Sequence, residues 1–462
     1  MLKSKKNNNR YNPTIKVDSG TIKTPFVRHF TRTGETFSCI YTDKKQIALV
    51  VIFSNPELFN SKHTVLVRLH SSCANSDILE SSDCDCHSQL QHSIDILRKR
   101  NGVLIHLFQE GRGAGIFAKF LGMYTMQNHG LSTYNAYKKL SLSIDVRMYS
   151  LAFKILRDLN IKNISLLTNN PRKALAFKKE GFLVNPEPLL GDITPQNFGY
   201  LFSKFSEGKH NISTFFPKDT DYYFCKTNLP SGPFNKTWII DGDDTLWEDN
   251  IIYMKIIDDF IKHCLLYVPQ VTEKQIRQIL NNVEEKTIKK EGFGALGFQK
   301  SLEKAYKIIH SKNNSIPKPE KLLNSVVKTI TDHPMILVDG VADVLFKLKK
   351  RGNGLILYTQ GNLNIQFKKI AESNLAEYFH AICVVKFKND NSLKRLRNDF
   401  SFDSGKFIFV GNSLRSDIEP AIQKGFNAVH FNNPNSWPMQ NKSRLNKLKY
   451  LQIKKLSELL RI

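Results

Sequence analysis

Short apolar runs that stop abruptly at polar or glycine-rich clusters recur along this chain, and they restrict its fold more than any other feature. Residues 103–108 run into Gln109-Glu110-Gly111-Arg112-Gly113-Ala114-Gly115, and residues 164–168 into Asn169-Asn170-Pro171-Arg172-Lys173. Residues 238–240 run into Asp241-Gly242-Asp243-Asp244-Thr245, residues 355–359 end on Thr359, and residues 407–410 run into Gly411-Asn412-Ser413-Leu414-Arg415-Ser416-Asp417. Runs of this length read as buried strands, and polar groups at strand ends mark where ligands sit in an α/β sheet. Helical periodicity appears at residues 89–100, 251–267 and 301–309. An α/β fold is expected.

At 462 residues the chain is long for a single core, so two domains are expected, residues 21–210 and 236–462. Residues 211–235, with Pro217, Pro230, Ser231, Gly232 and Pro233, read as the linker. Residues 1–20 are polar and basic and read as a disordered tail without the apolar centre of a secretory signal. No run of about 18 apolar residues is present, so no membrane span is expected. Cys39, Cys225, Cys264 and Cys383 are scattered in apolar surroundings, which fits buried free thiols and a reducing cytoplasm. The net charge of +25 comes from lysines spread through both halves with no aromatic-studded basic stripe. A lysine-rich coding bias together with phosphorylated small-molecule substrates explains that excess more simply than nucleic acid does.

In the front half, Cys73, Cys84 and Cys86 stand within one short stretch. Thiolates suit zinc, and a catalytic zinc takes three protein ligands and leaves its fourth position to water. His70 and His87 are candidates to close that position and make the site structural. The glycines of residues 111–115 permit close backbone approach, with Glu110 as an acceptor and Arg112 as a planar donor fork. Pro171 at a first helical position, preceded by Thr168 and two asparagines and followed by Lys173, predicts a helix N-terminus suited to an anion. Asp145 lies two residues before Arg147, a spacing that alone reads as a surface ion pair.

Together these motifs resemble GTP cyclohydrolase II over about residues 33–210, through to Asn197-Phe198-Gly199-Tyr200-Leu201-Phe202-Ser203-Lys204. The resemblance implies an α+β domain in which Cys73, Cys84 and Cys86 hold zinc, and a water activated there attacks C8 of the guanine. It places Arg68, Ser71, Gln89, Glu110, Arg112, Thr133, Thr168 and Lys173 at the GTP, with magnesium on the triphosphate. It makes Arg147 the nucleophile toward the α-phosphate, Asp145 its assistant, and Tyr124 the active-site tyrosine, with Lys119 a nearby alternative in the same helix. Two positions depart from the family pattern. Ser72 stands where a carboxylate is usual, and Val146 where an acidic residue is usual.

In the rear half, Asp241 and Asp243 are two residues apart at a strand end and so project the same way. Such a pair can share magnesium while one carboxylate attacks phosphorus. With Thr359 and Asp417 downstream, residues 236–462 resemble the haloacid dehalogenase (HAD) superfamily of phosphohydrolases. The resemblance implies a Rossmann-like domain with Asp241 as nucleophile, Asp243 as general acid and base, and Thr359 as a hydrogen-bond donor to a phosphate oxygen. Lys388 would neutralise charge, with Lys386 as a second candidate, and Asp241, Asp243 and Asp417 would hold magnesium. Residues 247–333 carry helical signals without strands and fall where a substrate-selecting cap is inserted.

The expected function is a bifunctional riboflavin-biosynthesis enzyme acting on GTP and a phosphorylated small molecule, with zinc and magnesium as cofactors; a homodimer is compatible with the front family. The alternative, motivated by Ser72 and Val146, is a front half that only binds nucleotide beside an active phosphatase.

Overall fold

A computed structural model of the protein describes residues 14–31, 34–54, 63–129, 131–218, 220–227, 233–267, 271–291, 294–311, 317–400, 407–436 and 449–462. The chain divides into two compact units, Met1–Ile193 with Tyr200–Phe215, and Thr194–Gly199 with Phe216–Ile462. Among the described residues no helix is long and apolar enough to cross a membrane.

In the first unit a mixed sheet is built from β1 (Ile15–Lys16), β2 (Ile22–Lys23), β3 (Val27–Thr31), β4 (Gly34–Thr42), β5 (Ile47–Ile52), β6 (Thr64–Ser71), β7 (Val103–Leu107), β8 (Asn163–Leu167) and β9 (Leu183–Glu187). The order is β1-β2-β4-β5-β7-β6-β8-β9, with β3 on β4. From β1 to β7 neighbours run antiparallel, and β5 alternates accordingly, burying Ala48, Val50 and Ile52. The pairs β7–β6, β6–β8 and β8–β9 are parallel, and β6 is buried on both faces from Val65 to His70. Helix Ser150–Asp158 lays Leu151, Ile155 and Leu156 on the sheet, and Phe153 meets Phe177 edge-on at 4.8 Å. Because β6, β7 and β8 run parallel in register, the segments that follow them emerge at one sheet edge. Those segments carry Cys73, Glu110 and Thr168–Lys173 in turn.

In the second unit the strands are β10 (Tyr222–Lys226), β11 (Thr237–Ile240), β12 (Gly354–Gln360), β13 (Ala381–Val385), β14 (Phe407–Gly411), β15 (Asn427–Phe431) and β16 (Leu451–Ile453). Their order is β10-β13-β12-β11-β14-β15-β16, parallel throughout except β10 on β13. β11 is fully buried, as a central parallel strand must be. With β12 on one side and β14 on the other, its carboxyl end is the point where strand order reverses. Between β11 and β12, helices Asn250–Tyr267, Glu273–Glu291, Ala295–His310 and Glu320–Thr331 close around a core of their own, with Phe260, Ile276, Phe298, Leu302 and Val326.

Three boundaries differ from the sequence reading. Residues 14–20, expected in a disordered tail, begin the first sheet as β1; residues 1–13 lie outside the described residues. Residues 211–235 are not a linker throughout, because Tyr222, Tyr223 and Cys225 are buried in β10 and pair with β13. Pro230, Ser231 and Gly232 fall outside the described residues. Thr194–Gly199 belongs to the second unit, where Phe198 packs on Phe216 and Phe367.

Candidate active sites

The chain turns sharply after β6, so that Cys73 caps helix Ala74–Leu79 while Cys86 opens helix Cys86–Lys99. The sulfurs of Cys73, Cys84 and Cys86 lie within 4.8 Å of one another, Cys73 and Cys84 at 3.7 Å. Hydrogen bonds from Cys84 and Cys86 hold the Cys73 thiol far below its ordinary pKa, helped by Lys119 Nζ at 3.1 Å. The bond to Cys73 pushes Cys84 up to about 11, and Cys86 is raised as well. Three sulfurs packed this closely are a donor set that fits a soft divalent metal able to take all three as thiolates. Neither histidine candidate joins them. His70 groups instead with Asp77 and His106, and the His87 backbone N–H donates to Ser76 Oγ at 2.6 Å.

A cavity of about 230 Å³ opens beside the sulfurs. Its wall includes Arg68, Ser71, Gln89, Glu110, Arg112, Thr133, Asp145, Arg147, Thr168 and Lys173. Glu110 accepts from the Ala74 and Gly111 N–H groups at 2.6 and 3.0 Å and from Lys119 Nζ at 2.8 Å. Arg112 takes a left-handed conformation (φ 58°) and stacks over Tyr134 at 4.6 Å, while its carbonyl accepts from the Val146 N–H. A Cβ at Gly113 would come within 2.8 Å of the Val146 backbone, so glycine permits this close approach. The Arg147 guanidinium donates to Asp145 through two hydrogen bonds of 2.8 and 2.5 Å, and its backbone N–H adds a third at 3.3 Å. Burial alone would lower the Arg147 pKa, but Asp145 outweighs it and the guanidinium is held in its charged form.

Arg68 and Lys173 are buried with no carboxylate paired to either among the described residues, and burial lowers both, Arg68 to about 10. Arg68 donates to Leu167 O and Gln89 Oε1, leaving its Nε unbonded, and Lys173 donates to Leu69 O at 2.9 Å. The Ser71 and Thr133 hydroxyls are likewise buried and, among the described residues, unbonded. Buried cations and idle donors around one cavity call for an anion.

Tyr124 is not brought to this site. On helix Ile116–His129 it is Lys119, Met123 and Met126, spaced four and three residues apart, that face the cavity, whereas Tyr124 lies off that face at 66% exposed. Tyr137, Tyr200, Lys204 and His210, none singled out from sequence, also line the cavity. Ser72 Oγ lies 2.9 Å from His106 Nε2 and donates to Leu107 O, and Val146 presents its side chain to solvent.

In the second unit Asp241 follows β11, and Lys388 Nζ bonds both its carboxylate and Asp417 Oδ1, the latter at 2.6 Å. Burial, with Asp417 adding to it against the pull of Lys388, pushes Asp241 up to about 7. Two buried carboxylates around one ammonium leave an acceptor excess that fits a hard divalent cation. Lys388 is thus the lysine at the carboxylates; Lys386 is exposed and pairs with Asp221 at 3.4 Å. Asp243 accepts from Trp247 Nε1 at 2.6 Å, Gln366 Nε2 at 2.8 Å and Lys369 Nζ at 2.9 Å. Lys369 also pairs with Asp249 at 2.6 Å, and neither residue was singled out from sequence.

Thr359, next to last in β12, lies beneath Gly242, fully buried, and its hydroxyl donates to Gln366 Oε1 at 3.2 Å. It does not line the cavity of about 170 Å³ above Asp241; Gln360 and Asn362 do. The bundle supplies Tyr253, Ile257, Glu284 and Phe298 to the same wall.

The family described as GTP cyclohydrolase II matches residues 21–187, and that described as haloacid dehalogenase-like hydrolase matches residues 238–431. GTP cyclohydrolase-2 of Vibrio parahaemolyticus is 38% identical over 178 residues, which cover 38% of this chain and 87% of that protein. Riboflavin biosynthesis protein RibBA of Thermotoga maritima is 40% identical over 153 residues, 33% of this chain and 39% of that protein. A solved haloacid dehalogenase-like hydrolase from Xanthomonas campestris is similar at 23% identity and a TM-score of 0.40, over 50% of this chain and 96% of its own. The chain belongs to the GTP cyclohydrolase II family through its front part and carries a haloacid dehalogenase-like hydrolase domain behind it, two hydrolases in one polypeptide.

Proposed function

We propose that the front unit opens the imidazole ring of GTP, releasing formate and pyrophosphate to give 2,5-diamino-6-(5-phosphoribosylamino)pyrimidin-4(3H)-one. The observation that carries this reading is the thiol trio beside a cavity whose buried cations, Arg68 and Lys173, have no carboxylate partner among the described residues. Cys73, Cys84 and Cys86 would hold zinc, which when bound supplies a water that ionises near neutral pH. Glu110, held by two backbone N–H groups and Lys119, is oriented to accept from the guanine edge. Arg68 and Lys173 would receive the phosphates. Arg147 is assigned first to clamping the α-phosphate, because Asp145 keeps it protonated; nucleophilic attack would require Asp145 to remove that proton.

Ser72 and Val146 favour the enzymatic reading over a merely nucleotide-binding front half. The Ser72 hydroxyl, on the wall of the same cavity, is engaged by His106 and Leu107, and the Val146 side chain faces solvent, so neither change removes a thiol or the Asp145–Arg147 pair. Incubation of the full chain with GTP, zinc and magnesium tests the reading through formate release, and its absence refutes it.

For the rear unit we infer a phosphomonoesterase in which Asp241 attacks phosphorus and Asp243 donates a proton to the leaving oxygen. Asp241, Asp417 and the Asp243 backbone carbonyl would hold magnesium, which when bound offsets phosphate charge. A later phosphorylated intermediate of the same pathway, 5-amino-6-(5-phosphoribitylamino)uracil, is the proposed substrate. Replacement of Asp241 by Asn is expected to abolish hydrolysis of para-nitrophenyl phosphate, and retained turnover refutes the nucleophile assignment.

A further inference from the structure

One acceptor in the rear cavity has nothing to accept. Glu284 projects from helix Glu273–Glu291 into the wall shared with Asp241, Lys388 and Asp417, and its Oε2 is buried without a hydrogen-bond partner among the described residues. Burial pushes its carboxyl up to about 7. Of its companions from the bundle, Ile257 and Phe298 offer only apolar surface, and the phenol of Tyr253, whose ionisation burial and the nearby Glu284 both disfavour, donates no hydrogen bond to that oxygen. The cavity's ammonium groups are already engaged, Lys388 by Asp241 and Asp417, and Lys369 by Asp243 and Asp249. A buried acceptor left unpaired is costly, and the cost is recovered when a ligand donates to it.

We propose that Glu284 selects the leaving group of the phosphomonoester, accepting from a neutral alcohol rich in hydrogen-bond donors, such as a polyol, and disfavouring both apolar alcohols and leaving groups with a second negative charge. This rests on the phosphatase reading of the rear unit. A site built to bond a substrate hydroxyl rejects the analogue that lacks it far more strongly than an apolar pocket rejects a small change in size, because its own polar group is then left unpaired.

The test compares ribitol 5-phosphate with pentyl phosphate, which has the same five-carbon chain without the extra hydroxyls, using the full chain with magnesium. The wild type is expected to favour the polyol in kcat/KM by about tenfold or more. Glu284→Leu should bring that ratio to within about threefold of unity, and Glu284→Gln, which keeps one acceptor oxygen, should hold it between the two. Should the leucine variant not fold, a drop of about threefold or more in the glutamine variant decides the matter. Absence of preference in the wild type, or a preference that survives either substitution undiminished, overturns the proposal. If para-nitrophenyl phosphate is hydrolysed while the two alkyl esters are treated alike, only the role of Glu284 fails. If none of the three is hydrolysed, the phosphatase reading fails and takes this inference with it.

Discussion

At the residue scale, both sites are places where burial has been imposed on charge. Glu284 illustrates the consequence for stability. Its carboxyl is raised to about 7 in the folded chain, so as pH climbs past the ordinary carboxylate range the unfolded chain ionises first, and stability is lost until the folded group ionises too. The penalty is absent near pH 4 and complete above pH 7, at most about 3 kcal/mol. Thermal melting of Glu284→Gln should therefore match the wild type at pH 4.5 and exceed it at pH 8; equal melting at both pH values would contradict the assigned burial. Arg147 allows a second test. Removal of its side chain in Arg147→Ala leaves Asp145 unpaired and the α-phosphate unclamped, and is expected to cut formate release by about a hundredfold or more, as the loss of a buried charge-paired donor does.

At the element scale, the ends of parallel strands do most of the positioning, and they were the part of the fold most legible in sequence. The runs that became β7, β8, β11, β12 and β14 stop at the polar clusters that line the two cavities, because a buried strand must shed its apolar pattern where it reaches solvent. Side chains contributed by helices were less legible. Lys369 is one among 67 lysines and arginines, and only packing reveals that it bridges Asp243 and Asp249, while Lys119, the alternative to Tyr124, is the one that packing turns toward Cys73. Tyr124 lies one step in helical phase off the face that Lys119, Met123 and Met126 present, a placement that the apolar pattern of that helix does not specify. β10 was hidden by the prolines on either side of it. Gly113 tests the positioning argument. It holds φ 90° against the backbone of Val146 and Arg147, so Gly113→Ala should cost about 2 kcal/mol in stability and displace Arg147. Formate release should fall while circular dichroism keeps its folded signature, and full activity in a folded variant would contradict the role given to the loop.

At the scale of the whole molecule, each unit has its own sheet, core and cavity, and the two proposed reactions share no residue. Their loss should be separable. Asp241→Asn is expected to leave formate release within about twofold of the wild type, and the reciprocal variant Cys84→Ser should leave para-nitrophenyl phosphate hydrolysis equally intact, each within the scatter of independent sites. Simultaneous loss of both activities in either folded variant would show that the units depend on one another for function.

The most direct test is a single assay of the full chain and Cys84→Ser, each supplied with zinc, magnesium and GTP, with formate and pyrophosphate measured together. Formate and pyrophosphate in equal amounts from the wild type, and no formate from the variant, is the predicted outcome. Absence of formate from the wild type, or its undiminished release after Cys84 has lost its sulfur, would contradict the account.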